Sequence, residues 1–146
     1  MKATFGLACD YAFIEPATNK LSILGVIRYI ITPTVPMQLR RLCIAIELEG
    51  SLAESRHSPY VTLELVDHDG VQVVPLDFKV PVQLTKLGPD EPNRGFAVIV
   101  LELNQLPLPA FGSYTIMVFD QAHAELSAVK FTLVQLQTSQ ALPADT

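Results

Sequence analysis

A chain of 146 residues and 16.0 kDa suits one domain better than two, with roughly two-thirds of the unfolded area buried on folding, enough for a core without metals or disulfides. Hydrophobic residues at 49% against 17% charged exclude extended disorder. Fifteen acidic and ten basic side chains give a net charge of −5, the wrong sign for gripping nucleic-acid phosphates, and no apolar run approaches the ~20 residues of a membrane-spanning helix.

The first sixteen residues, MKATFGLACDYAFIEP, place Asp10 and Glu15 within the apolar stretch, which is foreign to a secretory signal. The segment is therefore expected to belong to the fold, and the protein to reside in the cytoplasm. Residues 3–14 alternate, with Phe5, Leu7, Cys9 and Tyr11 in one phase. Residues 21–31 alternate likewise, with Leu21, Ile23, Ile27, Tyr29 and Ile31 in phase and Gly25 marking a bulge or close backbone approach. Pro16 to Lys20 has turn chemistry, so the two segments predict an antiparallel hairpin. Pairing odd with odd residues would set Asp10 one diagonal step from Arg28, as an exposed ion pair or a recognition spot. Leu24, Val26 and Ile30 on that face are too apolar for open solvent, so the second sheet or another subunit should cover them.

Pro33 and Pro36 make residues 32–39 a crossing, with one helical turn near 37–41. Residues 42–49 alternate again: Leu42, Ile44, Ile46 and Leu48 against Cys43, Ala45, Glu47 and Glu49. Cys9 thus falls in the apolar phase of its strand and Cys43 in the mixed phase of its own, which argues against their pairing. Two cysteines are too few for a secreted-type disulfide framework and read as free thiols packed as small hydrophobes.

A polar loop at 50–59 precedes a strand at Tyr60–Val66, and Asp67-His68-Asp69-Gly70 is a hairpin turn. The turn lacks the remaining ligands of a calcium loop. Pro75 and Pro81 put the next strand on an edge or break it. Residues 86–94 form the most polar loop, and 96–103 read as a central strand buried on both faces. Pro107-Leu108-Pro109 forces a crossing before strands at 113–119 and 125–133. About eight short strands with turns between them predict an all-β, antiparallel two-sheet β-sandwich of immunoglobulin-like, Greek-key type. It would occupy residues 1–134, with 135–146 a flexible tail. Tyr114, just past a proline-rich corner, is placed to pin that crossover as a tyrosine corner.

No catalytic or cofactor set emerges. The three histidines, His57, His68 and His123, form no spaced pair, two cysteines do not make a zinc site, and phosphate-binding and nucleophile-elbow patterns are absent. No cofactor or metal is expected, and an enzyme is disfavoured. Leu7-x-Cys9-Asp10 followed by Lys20-Leu21-Ser22-x-x-Gly25, with Glu49-Gly50 and the Asp67-x-Asp-Gly turn, resembles a family of short uncharacterised bacterial proteins, best over roughly the first 50 residues. The resemblance implies a cytoplasmic bacterial β-sandwich without assigned activity. It transfers no catalytic residue and nominates Asp10 and Lys20 for inspection.

The expectation is a non-enzymatic protein-binding module that uses a sheet edge or the loops at 50–59 and 86–94, with an unknown protein or a second copy of itself as partner. The alternative is a small-ligand or carbohydrate binder with a pocket between the sheets lined by Tyr11, Tyr29 or Phe96, disfavoured by the lack of Trp.

Overall fold

The computed structural model describes residues 1–137 as two packed sheets of five strands. In chain order the strands are β1 (Lys2–Ile14), β2 (Leu21–Val26), β3 (Tyr29–Thr32), β4 (Met37–Ser51), β5 (Tyr60–Val66), β6 (Gln72–Pro81), β7 (Thr85–Gly88), β8 (Glu91–Leu108), β9 (Gly112–Phe119) and β10 (Glu125–Gln135). The first sheet runs β2-β1-β4-β8-β7 and the second β3-β10-β9-β5-β6. Pairing is antiparallel except between β3 and β10. The chain is an all-β sandwich, as its period-two patterning requires. Residues 138–146, most of the expected tail, lie outside the described residues; Gln135 pairs with Thr32, and the Leu136 N–H donates to the Thr32 carbonyl.

Alternation that sends Leu42, Ile44, Ile46 and Leu48 inward from β4 meets Val61, Leu63 and Leu65 of β5, Ile116 and Val118 of β9, and Phe131 and Leu133 of β10. Each of these is at most 2% exposed, so truncating one to Ala should cost about 2–5 kcal/mol. β4 and β8 form the longest ribbon, in register from Met37 opposite Leu108 to Ser51 opposite Arg94. It absorbs the helical turn expected near 37–41 and the crossing expected at 107–108. Apolar alternation continues through Met37, Leu39, Leu106 and Leu108, all packed on the core, and this outweighs the local proline signal. The segment at 96–103 is an inner strand, between β4 and β7. The polar stretch at 86–94 is not a long loop but a tight hairpin, Gly88 opposite Glu91.

The stretch read as one strand at 21–31 divides. β2 belongs to the first sheet and β3 to the second, and only Ile27 and Arg28 lie between them. The Ile27 N–H still bonds the Ala8 carbonyl of β1, while the Arg28 carbonyl already accepts from Thr132 of β10. Gly25, at φ +66°, supplies the backbone conformation that turns the chain out of the first sheet.

The apolar phase of β1 faces outward. Gly6 and Ala8 take the inner face, opposite Ile46 and Ile44. β10 crosses so close there that a Cβ at Gly6 would lie 2.5 Å from Ser127 Oγ and 3.2 Å from Val129 Cγ2. Small residues therefore fill the interior and larger ones turn out, the reverse of what apolar alternation alone implies.

Candidate functional site

The nominated polar residues do not come together. With Tyr11 opposite Leu24 and Ala12 opposite Ile23, β1 and β2 pair odd with even residues, so Asp10 faces Gly25 and not Arg28. The Asp10 carboxylate lies against the face where a Cβ of residue 25 would project. Arg28 is exposed in the sheet-switching segment, and among the described residues neither makes an ion pair. Lys20 is exposed in the hairpin turn, where its carbonyl accepts from the Glu15 N–H. The Tyr114 hydroxyl donates to the Ala110 carbonyl at 2.6 Å and accepts from the Ala110 N–H at 3.1 Å, tying the start of β9 to the β8–β9 crossover. Its ring, 2% exposed, stacks on Phe131 at 5.7 Å.

Leu24 and Val26 share the outward face with Tyr11 and Cys9, and neither sheet covers them. Leu24 is 61% exposed, Val26 55%, Tyr29 68% and Ile31 65%. Behind them stand Phe13 and Tyr11, ring centroids 5.7 Å apart, and Val134 opposite Ile31. β2 and β3 are each paired on one side alone, so the backbone along this flank is free to take another strand. Neither LSILGV nor YIIT contains a charged residue. Composition marked these segments as apolar strands; it could not say that both would end a sheet.

A second feature sits on the outer face of the other sheet. Between Val61 opposite Val80 and Leu63 opposite Leu76, β6 carries extra residues against β5, a bulge in an edge strand. Beside it lies an open groove of about 410 Å³ lined by Thr62, Glu64, Gln72, Asp77, Lys79 and His123, among others. Lys79 Nζ lies 4.6 Å from the Tyr60 ring centroid, and His123 stacks on Phe119 at 4.2 Å. None of these residues stood out in the sequence; the Pro75–Pro81 spacing was the one available sign of an irregular edge. The cavity expected between the sheets has no counterpart at its three named residues. Tyr11 and Tyr29 are exposed on different sheets, Phe96 points away from the core that Ala97 enters, and the core fills the interior.

The two cysteines, expected on different faces, are direct partners in the β1–β4 register, both buried and both free. The outward turn of β1's apolar phase puts Cys9 on the same side as Cys43. Arg41 lies over them. Its Nη2 is 3.8 Å from Cys43 Sγ, its guanidinium 5.2 Å from the Tyr11 ring centroid, and its Nε 3.4 Å from Glu102 Oε2. Burial, the neighbouring Cys43 and Asp10 hold the Cys9 thiol above its ordinary pKa. Asp67, His68 and Asp69 bring one ligand atom each within 4.8 Å of the others. Asp67 Oδ1, however, accepts from the Asp69 and Val71 N–H groups at 2.9 and 3.0 Å, the bonds of a hairpin turn.

Fold and surface together define a small two-sheet sandwich with an apolar flank and a polar groove at the β5–β6 bulge. Residues 4–128 match the model of a family of unknown function, DUF6941, and the chain belongs to that family. No curated protein matches it significantly. Among solved structures it is similar to a Pseudomonas fluorescens alkylpurine DNA glycosylase, AlkC, bound to DNA containing an abasic site analog, at 12% identity and a TM-score of 0.35 over 73% of this chain. The match spans 27% of that chain, and a likeness so distant carries no argument about activity. Among the described residues no helix is long and apolar enough to cross a membrane.

Proposed function

We propose that the protein is a non-enzymatic binding module that docks a partner protein, or a second copy of itself, on the β2/β3 flank by strand addition. One observation supports this above all: Leu24, Val26, Tyr29 and Ile31, each more than half exposed, line two uncharged edge strands that follow one another in the chain. Main-chain hydrogen bonds from an added strand would supply affinity, and the four side chains would supply specificity and apolar area. The scaffold reading is immunoglobulin-like, supported by the Tyr114 corner. Cytoplasmic residence fits the two unpaired cysteines. The test is capture and self-association, by affinity purification and light scattering, of the wild type against Leu24→Lys/Tyr29→Lys. Loss of both interactions in a folded variant supports the reading, and capture undiminished by the two charges removes it.

The groove at the β5–β6 bulge favours a second reading, a small polar ligand held by Glu64, Asp77, Lys79 and His123. Its volume lies within the range of ordinary ligand sites, and its mixed charge suits a zwitterion. A thermal-shift screen of amino acids and amines tests it: a shift abolished by Lys79→Ala supports it, and no shift from any compound counts against it.

A further inference from the structure

We propose that Cys9 and Cys43 are a paired dithiol that hydroperoxides convert to a reversible disulfide between β1 and β4. The chain has two cysteines, and the fold sets them directly opposite one another on neighbouring antiparallel strands. Residues so opposed have Cα atoms about 4.5–5.5 Å apart, inside the range of about 4.4–6.8 Å that a disulfide spans. Their Cβ atoms, about 4.5–5.5 Å apart, must close to roughly 3.5–4.5 Å, which leaves the bond strained. Strained disulfides are the easily reduced ones, suited to signalling more than to permanent stapling.

Location and chemistry favour oxidation at this pair. Both sulfurs lie outside the core between the sheets, in a separate cluster with Ala12 and Ala45. Their cover includes Arg41, whose side chain is 42% exposed, and Glu102, directly opposite Cys43 and 49% exposed. Movement of surface side chains, without opening the sandwich, admits a small peroxide. The Arg41 guanidinium, 3.8 Å from Cys43 Sγ, sets a positive charge beside that sulfur. Burial, Cys43 and Asp10 push the Cys9 thiol up. That asymmetry assigns attack to Cys43 and resolution to Cys9.

The Cys43 thiolate attacks one peroxide oxygen. The S–O bond forms as the O–O bond breaks, and the departing alkoxide takes a proton and leaves as alcohol, or as water from hydrogen peroxide. Cys9 sulfur then attacks the sulfenic sulfur of Cys43. The S–S bond forms, the S–O bond breaks, and hydroxide leaves as water with the Cys9 proton. Two thiols and one hydroperoxide become a disulfide, an alcohol and a water, the two sulfurs supplying the two electrons that reduce the peroxide.

The test uses the intact chain, treated with hydrogen peroxide, unfolded in N-ethylmaleimide and weighed by mass spectrometry. Untreated protein should take two adducts. Treated protein should take none, weigh two hydrogens less as a monomer, and regain both adducts after dithiothreitol. Two adducts persisting at every peroxide dose, or a disulfide joining two chains, overturns the proposal without any substitution. In Cys9→Ser the reaction should stop at a sulfenic acid on Cys43 that dimedone traps, whereas Cys43→Ser should stay unlabelled at the same dose. Arg41→Met should slow oxidation by about tenfold, and equal dimedone labelling of the two cysteine variants would overturn the assigned order of attack.

Discussion

The sandwich has two flanks, and they treat their open edges differently. At one, β6 carries Pro75, Pro81, a bulge, Asp77 and Lys79, and β7 is four residues long. Proline, charge, bulging and brevity are the usual devices that stop an edge from recruiting another strand. Apolar side chains exposed there, such as Val71 and Leu87, stand singly. At the other flank, β2 and β3 are also short, but they contain no proline and no charge, and their exposed side chains are Leu24, Val26, Tyr29 and Ile31. One molecule guards one edge and leaves the other bare, which is what a specific docking edge requires.

Charging the bare flank is the sharpest way to break this comparison. Leu24→Lys/Tyr29→Lys should weaken partner or self binding by more than about thirtyfold, the loss typical of a central anchor. Folding stability should shift by less than about 0.5 kcal/mol, because both side chains are largely in water. The mirror change on the guarded flank, Asp77→Ser/Lys79→Ser, should leave binding unchanged. Titration calorimetry or light scattering on both pairs reads the difference, and equal losses would mean that the flanks do not differ.

Glycine compares the flanks at backbone level. Gly25 in β2 has φ +66° and Asp10 against it, whereas Gly70 in the β5–β6 turn has φ +76° and nothing within 4 Å. Alanine pays the left-handed strain at both sites, about 1–2 kcal/mol, and at residue 25 it also collides with the carboxylate. Gly25→Ala should therefore lower stability in urea by about 1–3 kcal/mol and Gly70→Ala by less. Gly25→Ala/Asp10→Ala should recover the difference. A double variant no better than Gly25→Ala would show that strain alone sets the cost.

Much of this was legible in the residues, and the failures share a cause. Alternation at Tyr60–Val66, the Pro16–Lys20 hairpin and the Asp67–Gly70 turn are local signals, and the structure keeps them. Which phase of β1 faces inward was not local. It depends on how closely β10 approaches Gly6, a contact between residues more than a hundred positions apart. That one inversion misplaced Cys9 and Tyr11 together and hid the cysteine pair, whereas Leu24 and Val26, already too apolar for solvent, joined Tyr11's face because β1 and β2 pair odd with even residues. The division of 21–31 was invisible for a similar reason. Val26 and Tyr29 read as one apolar stretch, and only sheet assembly separates them. The residues that line the groove are distant in sequence and carry no motif.

Away from the flanks, the sheets are joined by arches, and Tyr114 tests how much one of them contributes. Tyr114→Phe removes a hydroxyl that donates to the Ala110 carbonyl and accepts from its N–H, while leaving the stack on Phe131 intact. The cost should be about 0.5–1.5 kcal/mol by chemical denaturation. Flank binding should not change, since the β8–β9 arch lies between inner strands. An unaltered midpoint would mean that the hydroxyl is replaced by water at no net loss.

The smallest effect expected is at the β4–β5 arch, where Glu54 joins the chain start. The Met1 ammonium, 2.7 Å from Oε2, holds the Glu54 carboxyl below its ordinary pKa, and the Ser51 N–H at 3.2 Å adds to this against the opposing effect of burial. A carboxyl whose pKa is lower folded than unfolded binds fewer protons in the native state. Its contribution is therefore complete above the unfolded pKa and disappears as pH falls through the folded one. With the Glu54 side chain 39% exposed, the pair should be worth no more than about 0.2–1 kcal/mol. Glu54→Gln should lower the denaturation midpoint slightly at pH 7 and leave it unchanged once the native carboxyl is protonated. A penalty equal at both pH values would show that the charge is immaterial and would not come from the Ser51 hydrogen bond, because the amide oxygen of Gln still accepts from that N–H.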